Sequence, residues 1–363
     1  MRVLIAGGGT GGHLFPGIAV AQELVRRKGA EVRFVGSHHG IEGTAVPRAG
    51  FEVDLLPVRG VLGEGLRGML RAVWMVPRSL VAAWSLLGRF EPALVIGVGG
   101  YAAFPALAAA VLRGCPIVLL EQNASPGLVT RLFARFAQAV CTSFPETGTE
   151  LGDNVRLTGN PIRWKPTTQE GTAEAKDGDV FRVLVFGGSA GAHRLNTQIP
   201  GAIGGLGARV HVLHQTGKKD CTQVARRYAE LGVPADVVAF IDDMEAAYRT
   251  CDVAVCRSGA TTLAELTVLG VPAILVPYPY AAADHQRTNA QALVDAGAAW
   301  MILDQDLEEE RITACLEEAR RDPEILRDRR ERTRSLGRPQ ALADVVDICL
   351  AAGGEPLSTA VGA

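Results

Sequence analysis

The sequence predicts an α/β protein made of two Rossmann-like domains, each a doubly wound parallel sheet. Three observations carry that expectation. Short apolar runs alternate with longer stretches of helical periodicity, the pattern of βαβ units. The alternation breaks once, at the polar stretch Thr167–Asp179, and then restarts. The restart also repeats the beginning: Met1–His13 (MRVLIAGGGTGGH) aligns without a gap on Phe181–His193 (FRVLVFGGSAGAH), identical at 7 of 13 positions. The length of 363 residues suits two domains of roughly 150 residues each.

The elements follow in order. Val3–Ala6 reads as a buried strand that ends in a Gly-rich turn. A helix from about Pro16 to Lys28 places Ile18, Ala21, Leu24 and Val25 on one face. Further strands are expected at Glu31–Val35, Ala93–Ile96, Ile117–Leu120, Ala139–Thr142 and Val155–Leu157. After the linker, Phe181–Phe186 opens the second set, and βα units run to about residue 310. The tail from Gly353 reads as disordered. The expected division is one Rossmann-like domain over 1–160, a second over 161–340, and a C-terminal helix and tail over 341–363. Ligands of open α/β sheets sit beyond the carboxyl ends of the strands, so two such domains facing each other would form a cleft.

Composition narrows the function. Apolar residues at 48% and charged residues at 21% allow a sizeable core, and a formal charge of −2 does not favour nucleic acid. The seven cysteines form no C-x-x-C pair, which suits free thiols rather than a disulfide framework or zinc site. The N-terminus does not read as a signal peptide, and no apolar run is long enough to predict a spanning helix.

Gly7, Gly9 and Gly12 fit G-x-G-x-x-G, in which glycines permit a tight turn and a helix N-terminus offers N–H groups to phosphate. A dinucleotide-binding enzyme would want an acid at the end of the next strand. That strand ends Val35-Gly36-Ser37, which argues against it.

The longer motifs are specific. GGGTGGHLFPGIAVA, GVGGYAAFPALAAA, EQNASPGL, GNPIR, GGSAGA, FIDDM, CRSGATTLAE and DHQRTNA occur in that order over roughly residues 1–300. Together they resemble the MurG family of UDP-N-acetylglucosamine transferases of peptidoglycan synthesis. The resemblance implies a GT-B fold and an inverting, metal-independent transfer of N-acetylglucosamine from the UDP sugar to lipid I, giving lipid II. No cofactor is implied, and the sequence has no metal-spaced His/Cys cluster. The non-hydrolysing UDP-N-acetylglucosamine 2-epimerases are the nearest alternative enzyme class, and a non-catalytic nucleotide-sugar-binding module is a second.

Carried onto this chain, the resemblance makes His13 the candidate base. It places Gly11, Gly12, His13 and Tyr101 at the acceptor. It places Thr10, Gly11, Gly12, Asn123, Arg163, Ser189, Ile241, Ala260, Thr261, Thr262, Leu263, Ala264, Glu265 and Gln286 at the donor. In that reading Glu265 holds the ribose hydroxyls, Ile241 the uracil edge through its backbone, and Gln286 the sugar. The residues also permit plainer readings. His13 is at home at a helix start, Asn123 in a turn, Arg163 on a surface after a turn, and Thr262-x-x-Glu265 as a capping box. The chain departs from the family at Leu120, where a histidine is frequent, and at Arg287, where some members have a second glutamine.

Residues Arg59–Phe90 carry Leu62, Trp74, Met75, Leu86, Leu87 and other apolar side chains among five arginines and one acid, Glu64. Such a segment suits docking of Leu62–Leu87 on an anionic membrane surface. A buried helix pair with solvated arginines is the alternative. The expected location is therefore peripheral, at the cytoplasmic face of a bacterial membrane, with cell-wall synthesis or division proteins as possible neighbours.

Overall fold

The computed structural model describes residues 1–58, 65–162, 164, 180–188, 191–207 and 209–354, with backbone alone over 65–73. The expected linker Thr167–Asp179 and most of the expected tail lie outside the described residues. The chain divides into two compact units. The first takes Met1–Arg163 and resumes at Gln340; the second runs Trp164–Pro339.

In the first unit the order is β1 (Arg2–Ala6), α1 (Gly11–Lys28), β2 (Glu31–Ser37), α2 (Glu42–Arg48), β3 (Glu52–Leu56), α3 (Gly65–Phe90), β4 (Leu94–Gly97), α4 (Phe104–Leu112), β5 (Ile117–Glu121), α5 (Leu128–Phe133), β6 (Ala139–Thr142) and β7 (Val155–Leu157). The strands form one parallel sheet in the order β3-β2-β1-β4-β5-β6-β7. The order reverses between β1 and β4, which sets the Gly-rich turns after these two strands side by side. Ile5, Leu94, Ile96 and Val118 are fully buried in near-continuous apolar strands, as a parallel sheet covered on both faces requires.

Two local differences from expectation have physical causes. Helix α1 begins at Gly11, so Pro16 lies inside it rather than at its start. Pro16 is the sixth residue of the helix and is buried, so one intrahelical bond, to the Gly12 carbonyl, is given up there. Strand β3 was not expected, because EVDLL alternates acid and apolar residues too briefly. It is the sheet edge, and Arg33 on β2 pairs there with Glu52 and, at 3.4 Å, with Asp54.

In the second unit come β8 (Phe181–Phe186), α6 (His193–Gly204), β9 (Val210–Gln215), α7 (Cys221–Glu230), β10 (Ala235–Val238), α8 (Met244–Thr250), β11 (Val253–Cys256), α9 (Ala260–Leu269), β12 (Ala273–Leu275), α10 (His285–Asp295), β13 (Ala299–Met301), α11 (Glu309–Arg321) and α12 (Pro323–Ser335). The parallel order β10-β9-β8-β11-β12-β13 repeats the reversal, here between β8 and β11. The repeated segment thus opens two sheets of one topology.

Helix α13 (Ala341–Ala352) joins the first unit. Val345, Val346, Cys349 and Leu350 enter the core beside Leu24 and Val118. Asp347 accepts from Arg27 of α1 at 2.7 Å. No helix among the described residues is long and apolar enough to cross a membrane.

Candidate functional site

The first unit gathers glycine turns and polar side chains at the carboxyl ends of β1, β4 and β5. Gly7, Gly8 and Gly9 all have positive φ, at 126°, 135° and 87°. A Cβ on Gly7 would run into the Gly99 carbonyl, and the Gly8 N–H donates to that carbonyl at 3.3 Å. Only glycine permits both the backbone conformation and the approach. Thr10 caps α1 in an extended conformation, without a side-chain bond to the helix amides. Its Oγ1 lies 3.3 Å from His13 Nδ1 instead. The edge of the His13 ring rests against Gly99, where a Cβ would stand 3.0 Å from Cδ2 and 3.3 Å from Nε2. Tyr101, just past Gly100, pairs its hydroxyl with Ser37 at 3.3 Å. Thr10, Gly11, Gly12, His13 and Tyr101 therefore come together around two crossed glycine turns.

The end of β5 supplies three polar residues. Glu121 is buried and organises the turn after it. Its Oε1 accepts from the Asn123 backbone at 3.1 Å and side chain at 3.4 Å, and its Oε2 from Gly127 N–H at 3.0 Å and Thr130 Oγ1 at 2.6 Å. Asn123 is thus built into the turn, and Thr147 donates to its carbonyl. Gln122 donates its amide to the carbonyls of Val98 and Leu120, both at 3.2 Å. That orientation turns its Oε1 away, buried and without a hydrogen-bond partner among the described residues. The Oε1 lies 3.7 Å from the Cβ position of Gly99 that His13 also faces. Glu121 and Gln122 sit within a motif the sequence displayed, yet nothing local distinguishes their roles.

In the second unit Gly187, Gly188 and Gly191 precede α6. A Cβ on Gly191 would collide with the Thr216 carbonyl, and its φ is 77°. Gln215, at the end of β9, donates to Gly188 O at 2.9 Å and accepts from Ile241 N–H at 2.9 Å. The Ile241 N–H is thus held inside the protein, which leaves its carbonyl for the expected backbone contact unless Gln215 is displaced. Gln215 belonged to no motif singled out in the sequence.

Helix α9 carries Ala260, Thr261, Thr262, Leu263, Ala264 and Glu265. The capping box does not form. The N-cap is Gly259, three residues before Thr262, and no side chain caps it. Glu265 is 3% exposed and accepts from Tyr248 Oη at 3.0 Å. Burial, reinforced by the Glu265 charge, pushes the Tyr248 hydroxyl well above its ordinary pKa, so it remains a donor. Gln286, second in α10, accepts from Tyr278 N–H through Oε1 at 2.9 Å, and its backbone carbonyl accepts from Ser258 at 2.8 Å. Its amide nitrogen is the end not used in that bond. Ala283 and Asp284 just before it have φ of 51° and 52°, a left-handed pair that non-glycine residues adopt only when held. Arg163 and Ser189 lie outside the described residues.

The histidine that repeats His13 takes a different part. His193 pairs with Asp220 at 2.9 Å on the surface of α6. His214 is fully buried between Tyr228 and Asn196, and burial lowers its pKa to about 3, which keeps it neutral. Among the described residues no three His, Cys, Asp or Glu side chains group to hold a metal ion.

Helix α3 splits its apolar residues between two faces. Ala83, Leu86, Leu87 and Phe90 enter the core with Leu107. Leu86 and Leu87, grouped by sequence with the docking segment, therefore belong to the interior. Trp74 and Val81 point outward, 71% and 70% exposed, and Trp84 is 44% exposed beneath the Arg113 guanidinium at 4.1 Å. Leu62 lies outside the described residues, as do the side chains of 65–73.

Comparison with known proteins agrees with this architecture. Residues 3–142 match the glycosyltransferase family 28 N-terminal domain and residues 182–344 its C-terminal domain. The chain is 44% identical over 355 residues to the UDP-N-acetylglucosamine–N-acetylmuramyl-(pentapeptide) pyrophosphoryl-undecaprenol N-acetylglucosamine transferase of Myxococcus xanthus, covering 96% of this chain and 92% of that protein. It is 43% identical to the protein of the same name from Syntrophus aciditrophicus, covering 97% and 98%. Among solved structures it resembles MurG of Acinetobacter baumannii, with a TM-score of 0.81, 28% identity, and coverage of 96% and 99%. A putative UDP-N-acetylglucosamine 2-epimerase from Listeria monocytogenes, at a TM-score of 0.68 and 12% identity, shares the fold alone. Two sheets of one topology, each opened by a Gly-rich turn, and a match that spans nearly the whole chain lead to one conclusion: this is a GT-B glycosyltransferase that belongs to family 28 and, within it, to the MurG transferases.

Proposed function

We propose that this protein transfers N-acetylglucosamine from UDP-N-acetylglucosamine to the muramyl sugar of lipid I, with inversion, forming lipid II. The observation that carries the reading is the 43–44% identity, over 96–97% of the chain, to transferases named for that reaction. Inverting transfer needs a base at the acceptor hydroxyl and stabilisation of the UDP leaving group. His13, beside two glycine turns, is the candidate for the first task and, with Gly11 and Gly12, for holding the acceptor pyrophosphate. Arg163, Ser189 and the Gly187–Gly191 turn are the candidates for the second, with an arginine fork suited to phosphate oxygens. Thr261, Thr262, Glu265, Gln286 and the Ile241 backbone complete the donor reading in the second unit. Thr10 and Asn123 are the donor candidates of the first.

The acceptor's lipid tail stays in a bilayer, so its headgroup must be met at the surface. The outward Trp74, Val81 and Trp84, with Arg78 and Arg113 exposed near them, support peripheral docking on an anionic leaflet at the cytoplasmic side. Incubation with radiolabelled UDP-N-acetylglucosamine and lipid I tests the reaction. Label is expected in the lipid-linked product. Label recovered only as free epimerised sugar would establish the epimerase reading instead.

A further inference from the structure

Glu42 opens α2 and belongs to none of the motifs that the sequence displayed, yet it is 1% exposed. Its side chain threads between Gly8, Gly36 and Gly40, and a Cβ on any of the three would overlap it. Three glycines from three separate segments thus leave one channel, and one carboxylate fills it. Its Oε1 accepts the Gly9 N–H at 2.6 Å. Its Oε2 is buried without a hydrogen-bond partner among the described residues. A buried carboxylate with an unmatched oxygen is costly, and an apolar chain of the same length would serve packing better. The Gly7–Gly9 backbone, all at positive φ, has the most conformational freedom to lose and needs a tie from outside the loop.

The bond also changes what the loop can hold. In G-x-G-x-x-G the second glycine lets a pyrophosphate approach the backbone. Here the amide of that second glycine, Gly9, faces inward to a carboxylate, and an anion brought to it would meet like charge. We infer that Glu42 is a positioning residue of the acceptor site. It occupies the crook of the first glycine turn from inside, locks Gly9, and leaves the amides of Gly11 and Gly12 and the His13 ring as the face presented to the acceptor pyrophosphate. This rests on the acceptor-side reading of Gly11–His13.

Two volume-matched variants of the full chain test it. Glu42→Gln keeps the Oε1 acceptor for Gly9, and Glu42→Met keeps the volume but removes it. Steady-state kinetics on lipid I should show Glu42→Gln within about threefold of the parent, and Glu42→Met reduced about tenfold or more in acceptor kcat/KM with donor KM within about twofold. Residue-resolved hydrogen exchange over residues 7–13 of the parent should show the Gly9 amide protected along with those of Gly7 and Gly8, which bond the Val35 and Gly99 carbonyls. Equal activity of the two variants, or a loss in Glu42→Met that raises donor KM equally, overturns the positioning role. So does open-loop exchange at Gly9, a readout that stands even where Glu42→Met does not fold. His13→Ala measured alongside separates the two readings. If it loses acceptor kcat/KM while Glu42→Met does not, the Glu42 role alone falls; if neither loses it, the acceptor reading falls as well.

Discussion

Tyr248 donates its hydroxyl to the Glu265 carboxylate at 3.0 Å, and both side chains are buried in the second unit. Glu265 is therefore held by a tyrosine rather than by a helix cap. Replacing it with alanine strands the Tyr248 hydroxyl, at a cost of about 1–3 kcal/mol. Tyr248→Phe removes the donor but keeps the ring. Glu265→Ala is expected to raise the donor KM far more than the acceptor KM, and Tyr248→Phe to raise it less. Thermal unfolding of both variants should be followed in parallel. An unchanged donor KM in folded Glu265→Ala would remove that residue from the nucleotide site.

His13 lies against Gly99 with its Nδ1 beside Thr10. General-base catalysis contributes roughly 10²–10⁴-fold. His13→Ala is expected to lower kcat by at least about tenfold, allowing for partial rescue by water, with donor binding retained. Calorimetric titration with UDP checks the second half. A variant with full kcat and reduced stability would show that the histidine only closes the helix start.

The outward face of α3 makes a separable prediction. Trp74 and Val81 contribute little to the core, so Trp74→Ser with Val81→Ser should leave unfolding nearly unchanged while lowering co-sedimentation with anionic vesicles. Each basic residue near such a surface adds on the order of 1 kcal/mol, and salt screens it. Binding by the parent should therefore weaken as salt rises. Activity on lipid I should fall in the double variant, and activity on a short-chain soluble acceptor should hold. Leu86→Ser, on the inward face, is expected to destabilise the unit instead. If the parent ignores anionic vesicles, the docking surface lies elsewhere.

Glu23 on α1 accepts from Arg26 and Arg27, and hydrogen bonding to Arg26 most of all lowers its pKa from 4.5 to about 2. The folded value lies below the unfolded one. Its stabilisation is therefore complete above about 4.5 and is lost as pH falls through 2. Arg27 also reaches Asp347, so the same cluster ties α13 to α1. Glu23→Gln should lower the melting temperature at pH 7, by roughly 2–4 °C per kcal/mol lost for a unit of this size. The gap between parent and variant should narrow as pH is lowered from 4.5 to 2. A gap that stays constant over that range would show that the carboxylate charge is not what stabilises.

Local pattern made much of this protein legible. Ala139–Thr142 and Phe181–Phe186 are strands over the residues that periodicity marked, because buried parallel strands are largely apolar, and Val155–Leu157 is the exposed edge strand of its sheet. The glycine turns were legible for a related reason: positive φ and close backbone approach admit little else. The motif order marked the family. Four things depended on residues far apart in sequence meeting in space. Glu42 and Gln215 read locally as ordinary polar residues, and only the folding of α2 against Gly9 and of β9 against Gly188 makes them ties. Thr262-x-x-Glu265 had the spacing of a capping box, but the helix starts earlier and Tyr248 claims the carboxylate. Trp74 and Leu86 look alike in an apolar run, and only packing against α4 sends one outward and the other inward. The last helix carries an apolar face that any core would accept, and its return to the first unit was decided by the complementary surface of α1 and the Arg27–Asp347 pair. A single residue's conformational needs are written in its neighbours along the chain, whereas its partners are chosen by topology.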